Sequence, residues 1–228
     1  MVLLDQPLVA EVVTLTLNHG VYDTRTATTV DEATALLKEW RPHVAVLDMD
    51  IGGDRILEET QEPNGVQIPV LGLTRRGDLK TKLAAFDQGV DDIMTVPFSP
   101  EELLARVLAI TRGTYGATLP LNPVIKLGEI EIDILNRKIR AGTSDLHLTP
   151  LEQSLLYLLA ANAGRVLTRD EIMDSVWGAD FVAGSNTIDQ HIRSLRAKLQ
   201  NDWHRPRFIA TEAGRGYRFV PTFSEQPA

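Results

Sequence analysis

The sequence predicts an α/β chain in two parts, a parallel α/β half followed by a smaller α+β half. Three observations carry this. Over residues 1–112, short buried aliphatic runs alternate with amphipathic stretches, as in a parallel sheet with crossover helices. From residue 124 onward the order changes to short antiparallel strands, then three helices, then a hairpin. Charge is partitioned as well. Residues 1–112 hold 10 Lys+Arg against 18 Asp+Glu and residues 113–228 hold 13 of each, but 185–218 alone hold 7 basic and 3 acidic residues. The net charge of −8 thus hides a basic C-terminal stretch suited to a polyanion.

In the first half, residues 2–4 read as a strand and 8–18 as a helix. Residues 31–40 form a second helix, with Ala33, Leu36, Leu37 and Trp40 at helical spacing. Residues 44–47 are a continuous aliphatic run closed by Asp48. Residues 55–61 are a candidate short third helix, stopped by Pro63 and Gly65. Residues 68–73 are a buried strand, and 79–88 a helix ending at Gly89. Residues 93–96 read as a further strand, cut by Pro97, and 101–112 as an apolar-striped helix. Residues 113–123, with two Gly, two Pro and no charge, read as a linker.

In the second half, residues 125–127, 129–132, 138–139 and 146–148 read as short strands. Thr149 as N-cap, Pro150 at N1 and Glu152 at N3 start a helix that runs to Asn162 and stops at Gly164. Thr168 and Glu171 open the next, residues 169–177, and a third spans 186–200. Residues 207–211 and 217–220 flank a glycine-rich tip as a hairpin. This is the order of a winged helix-turn-helix.

The composition excludes several classes. Without cysteine there are no disulfides, thiolate catalysis or Cys-ligated zinc. The five histidines, His19, His43, His147, His191 and His204, lack metal-ligand spacing, and no phosphate-binding glycine loop or nucleophile elbow is present. The expectation is a non-enzyme without cofactor. No run approaches the ~18 apolar residues of a membrane span, and residues 1–20 lack the basic start of a secretory signal. A cytoplasmic protein without a membrane partner is expected.

The third helix of the second half carries a buried stripe, Ile188, Ile192, Leu195 and Leu199. The remaining positions, Asn186, Thr187, Gln190, His191, Arg193, Ser194, Arg196 and Lys198, are hydroxyls, amides and bases of the kind that meet phosphates and base edges. Gln190 suits adenine, and Ser194, one turn on, can reach either partner. A solvated charged face fits the helix equally well. Arg215, placed where a wing reaches a minor groove, favours DNA.

Residues 124–223 resemble the effector domain of OmpR/PhoB-type response regulators. The motifs are Leu-Thr-Pro-Leu-Glu at 148–152, Gly-Arg-Val-Leu-Thr-Arg-Asp-Glu-Ile at 164–172, Val-Trp-Gly at 176–178, Asn-Thr-Ile-Asp-Gln-His-Ile-Arg-Ser-Leu-Arg-Ala-Lys-Leu at 186–199 and Gly-Arg-Gly-Tyr-Arg-Phe at 214–219. The resemblance implies sequence-specific binding of double-stranded DNA as a dimer on tandem half-sites, with the turn from Trp177 to Ser185 facing RNA polymerase. The family often carries a wing arginine just before the first wing glycine. Here that position is Ala213, with Arg215 the candidate replacement.

Residues 1–112 resemble the flavodoxin-like (βα)5 receiver domain of the same regulators, through residues 42–53, 68–74 and 89–103. The resemblance implies Asp48 as phosphoacceptor at a strand C-terminus, Thr74 as the hydroxyl that holds a phosphoryl oxygen, and Mg²⁺ as the neutralising ion. Several positions depart from the pattern. Val96 stands where a lysine is expected, Leu4 and Asp5 replace an acidic pair, Arg75 replaces a small residue, and Ile93 replaces the aromatic that reports phosphorylation. Loss of a metal ligand together with the lysine removes preorganised charge, often the largest catalytic contribution. The pocket therefore reads as degenerate, with Asp48 vestigial and Mg²⁺ relevant only if Asp48 is phosphorylated. Arg75 either folds over Asp48 as a substitute cation or points to water. Asp50 either crowds the pocket or lies on the surface.

The resemblance also implies a dimer face bearing Lys82, Asp91, Asp92, Glu102 and Arg106, with Lys82–Glu102 and Asp92–Arg106 pairs across a two-fold axis. Ordinary surface charges are the alternative. The expected function is a DNA-binding transcriptional regulator whose receiver acts as a constitutive or partner-controlled dimerisation module. The alternatives are a conventional regulator phosphorylated at Asp48 by a histidine kinase, or a receiver used mainly for protein docking.

Overall fold

The computed structural model describes residues 1–18, 22–60, 67–116, 124–133, 136, 138–178, 186–199 and 204–220. The chain divides into two compact units, one of Met1–Phe98 with Glu102–Leu121, the other of Ser99–Glu101 with Asn122–Ala228.

The first unit runs β1 (Val2–Leu3), α1 (Pro7–Asn18), β2 (Thr26–Ala27), α2 (Val30–Trp40), β3 (Ala45–Asp48), β4 (Val70–Thr74), α3 (Leu79–Asp87), β5 (Asp92–Thr95) and α4 (Pro100–Tyr115). Its five strands are parallel in the order β2-β1-β3-β4-β5. β3 and β4 are buried at every position, which is why they read as unbroken aliphatic runs. Leu3, Leu47, Val70 and Ala45 join Ala33, Leu37 and Ile56 in the core on one side of the sheet. The strand order reverses between β1 and β3, so the crevice beyond their carboxyl ends is the place where an open α/β sheet receives ligands. Asp5 follows β1 and Asp48 ends β3 at that point.

Three elements differ from expectation. The strand without a run of its own in the sequence is β2, two residues long and defined by its pairing with β1. The short helix expected at 55–61 is instead a series of 3₁₀ turns, Met49–Ile51, Gly53–Ile56 and Glu58–Thr60. Gly52 bends the chain with φ 97°, and a Cβ on Gly53 would lie 2.7 Å from the Asp48 carbonyl oxygen, so the segment folds back too tightly to nucleate an α-helix. Residues 113–115, placed in the linker, extend α4, while 117–123 lie outside the described residues.

The second unit begins with an antiparallel sheet of β6 (Val124–Leu127), β7 (Ile130–Asp133), β8 (Lys138–Ala141) and β9 (Ser144–Leu146). Then come α5 (Pro150–Ala161), β10 (Val166–Thr168), α6 (Arg169–Trp177), α7 (Thr187–Lys198), β11 (Ile209–Glu212) and β12 (Gly216–Phe219). Both expected capping boxes form, Thr149 with Glu152 and Thr168 with Glu171. The hairpin is a three-stranded sheet, β10-β12-β11, because β10 pairs with β12 from 50 positions away. At that crossing a Cβ on Gly216 would meet the Leu167 carbonyl oxygen at 1.9 Å, so only glycine fits. Leu155, Leu159, Ile172, Ile192, Leu195, Phe208 and Tyr217 form the core between the three helices and the hairpin. No helix among the described residues is long and apolar enough to cross a membrane.

Candidate functional site

The receiver pocket is built at the carboxyl ends of β1, β3 and β4. Asp48 is 3% exposed and Thr74 1% exposed. Register sets them side by side, since Asp48 is opposite Leu73 across the β3–β4 ladder. Asp48 Oδ1 accepts the Asp50 amide at 2.9 Å. Arg75 folds inward, and its Nη2 donates to Asp48 Oδ2 at 3.2 Å and to Asp5 Oδ1 at 2.8 Å. Of the two readings of Arg75, the geometry is the one that covers Asp48. Asp50 also lies in the pocket and braces the β4 end. It accepts Thr74 Oγ1 at 3.0 Å on one oxygen and the Arg75 amide at 2.7 Å on the other. Arg76 donates its amide to Thr74 Oγ1 at 3.0 Å, so the proton and one acceptor lone pair of this hydroxyl are engaged.

Burial pushes the Asp48 carboxyl above its ordinary range, against the pull of the Asp50 amide and Arg75, while Asp5 and Asp50 push it up further. Three carboxylates with one inserted guanidinium make a crowded, partly neutralised pocket. The Mg²⁺ used by receivers of the resembled kind would meet a guanidinium in this pocket. Arg75 Nη2 bridges Asp5 and Asp48, and the Leu4 side chain offers no oxygen. Val96, half-buried, carries no charge to replace the expected lysine.

The charges expected at a dimer interface are arranged differently within one chain. Arg106 Nη1 donates to Asp92 at 2.7 Å, and its Nε and Nη2 donate to Glu102 at 2.9 and 2.8 Å. A single guanidinium thus holds in cis both Asp92, expected to meet Arg106 in trans, and Glu102, expected to meet Lys82 in trans. Asp91 accepts the Val70 amide at 2.7 Å and braces β4. Lys82 is half-buried on α3. Sequence reasoning missed three apolar residues of the same helix. Leu79, Leu83 and Phe86 are 71%, 53% and 44% exposed. Their spacing of four and three was the available signal.

In the second unit, α7 divides its polar residues between two faces. Asn186, Gln190, Arg193 and Ala197 are exposed, and their spacing of four, three and four makes one solvent stripe opposite Ile188, Ile192 and Leu195. Three expected DNA contacts turn inward instead. Ser194 Oγ donates to buried Glu152 at 2.6 Å, and Lys198 Nζ donates to the same carboxylate at 2.5 Å. Arg196 donates to the Ile209 carbonyl at 2.9 Å and to Thr211 Oγ1 at 2.8 Å, and lies over the Tyr217 ring. These side chains complete the hydrogen bonding of the fold, which a composition-based reading of the helix cannot see. His191 sits against Trp177, with ring centroids 5.6 Å apart. Thr187 is half-buried in the first turn. Arg215 is exposed at the hairpin tip, where its amide donates to the Glu212 carbonyl at 2.9 Å. Of the expected polymerase-facing turn, residues 179–185 lie outside the described residues.

Comparison with known proteins agrees with this two-part arrangement. Residues 1–108 match the family model "Response regulator receiver domain", and residues 142–219 match "Transcriptional regulatory protein, C terminal". The KDP operon transcriptional regulatory protein KdpE of Escherichia coli K12 is 36% identical over 181 residues, covering 79% of this chain and 80% of that protein. KdpE of Mycobacterium tuberculosis is 32% identical over 218 residues, covering 94% and 96%. The crystal structure of DrrB, a Thermotoga maritima OmpR/PhoB homologue, aligns at 30% identity with a TM-score of 0.44, covering 96% of this chain and 97% of that one. With both domain matches in order, and full-length relatives above 30% identity, the chain belongs to the OmpR/PhoB family of response regulators, DNA-binding transcriptional regulators rather than enzymes.

Proposed function

We propose that this protein is a sequence-specific transcriptional regulator whose receiver works without phosphoryl transfer, as a constitutive or partner-controlled homodimerisation module. The observation that carries the reading is Arg75 Nη2 seated between Asp5 and Asp48. The guanidinium supplies in cis the positive charge that a metal ion would bring, and a phosphoryl group would have to displace it. The exposed stripe of Leu79, Leu83 and Phe86 supports dimerisation through α3, where self-complementary apolar contact suits a closed two-fold pair. In the second domain the stripe of Asn186, Gln190 and Arg193 reads DNA from α7, and Arg215 reaches the minor groove. RNA polymerase is the further partner, and no resident cofactor takes part.

Conventional control by a histidine kinase is the second reading, favoured by the placement of Asp48 at the end of β3 beside Thr74. Intact mass after incubation with acetyl phosphate and Mg²⁺ separates the two. The proposal expects no stable 80-Da adduct (about the mass of one added phosphoryl group) on the wild-type chain. A stoichiometric adduct that Asp48→Asn abolishes would establish the second reading instead.

A further inference from the structure

The helix read here as the DNA-recognition element is clamped by a carboxylate on each flank. On one flank Asp189 accepts Arg169 Nε at 2.9 Å and the Tyr217 hydroxyl at 2.7 Å, which ties α7 to α6 and the hairpin. On the other flank stands Glu152, 3% exposed. Its Oε1 accepts Ser194 Oγ at 2.6 Å, and its Oε2 accepts both Lys198 Nζ at 2.5 Å and the Thr149 amide at 2.7 Å. Glu152 is also held from its own helix, because its carboxylate accepts the backbone amide of Thr149 in the α5 capping box. Ser194 and Lys198 lie one turn apart on a single face of α7. Their convergence on one fixed carboxylate therefore defines how far the helix can roll about its own axis. A roll of about 20° moves side-chain tips on a helix 10–12 Å across by roughly 2 Å. That is enough to break hydrogen bonds to base edges, which tolerate only a few tenths of an ångström.

We infer that Glu152 is a positioning residue for DNA recognition: it fixes the roll of α7 through Ser194 and Lys198, so that Asn186, Gln190 and Arg193 face the groove. The inference rests on the reading of α7 as the recognition helix. It also divides the helix by role, because Ser194 and Lys198 hold α7 in place and leave base reading to the solvent stripe.

The test uses the full chain and two duplexes of equal length, one selected by the wild-type protein from a random-sequence library and one scrambled. The readout is the ratio of the two dissociation constants, which a simple loss of folded protein does not change. Glu152→Ala should lower this preference about tenfold and Glu152→Gln severalfold. Removal of a negative charge would by itself tighten binding to both duplexes alike. Thr149→Ala weakens the α5 cap but keeps the contacts to α7, and should hold the ratio within twofold of wild type. If Glu152→Ala fails to fold, the near-isosteric Glu152→Gln carries the comparison. A wild-type ratio in the folded Glu152 variants, alongside a lowered ratio in Gln190→Ala or Arg193→Ala, overturns the positioning role alone. If Gln190→Ala and Arg193→Ala both keep the wild-type ratio, the reading of α7 itself falls, and this inference falls with it.

Discussion

Arg75 is the residue on which the receiver turns. It is about one-third exposed, so its pairing with Asp48 is partly screened, yet Asp48 itself is buried. Among the described residues, removing the guanidinium leaves a buried carboxylate with the Asp50 amide as its remaining hydrogen-bond donor. Because burial already raises the Asp48 pKa, its ionised form opposes folding, and this penalty is present above the folded-state pKa and relieved as pH falls through it. Arg75→Ala raises that pKa further. We therefore expect Arg75→Ala to cost roughly 1–2 kcal/mol near pH 7.5, with a smaller loss near pH 5, as read from urea unfolding at the two pH values. Adding Asp48→Asn should recover most of the loss at pH 7.5. Unchanged stability and DNA affinity in Arg75→Ala would mean that the guanidinium contributes nothing to the pocket. The positions of this pocket were legible through the family resemblance, with Asp48 at the close of an aliphatic run. The direction of Arg75 was not, since it depends on the lateral register of β3 and β4, and both of its orientations satisfy local chemistry.

At the scale of elements, the features fixed by near neighbours could be read directly. The two capping boxes, Thr149 with Glu152 and Thr168 with Glu171, form as their spacing requires. The elements defined by remote partners could not. β2 and β10 are strands because β1 and β12 lie beside them, and their own two or three residues carry no period. The same limit explains α7. Its buried stripe was visible, but the inward turn of Ser194, Arg196 and Lys198 needs Glu152 and the Ile209 carbonyl from elsewhere in the domain. On α3 the apolar stripe has no cover within the described residues of its own domain, and it gives the dimer its test. Leu83 is half-exposed, so Leu83→Asp should change the stability of the isolated chain by less than about 1 kcal/mol. It should nevertheless shift the sedimentation equilibrium toward monomer by at least tenfold. An unchanged dimer would place the interface on another face. Arg106→Glu is a poorer probe, because it also breaks two pairs made in cis.

The whole molecule separates its charge by task. The acidic receiver half is repelled by DNA, and the basic stretch over 185–218 is attracted to it, so a receiver that dimerises sets how many basic surfaces meet one duplex. In a switched regulator that number changes with phosphorylation. In the present account it does not, because Arg75 already fills the space between Asp5 and Asp48. The most direct measurement is the mass of the full chain by light scattering, with and without beryllofluoride and Mg²⁺ as a phosphoryl analogue. A receiver locked by Arg75 gives a dimer of the same mass in both conditions. A monomer that dimerises only with the analogue would show that Asp48 still takes a phosphoryl group and that Arg75 yields to it.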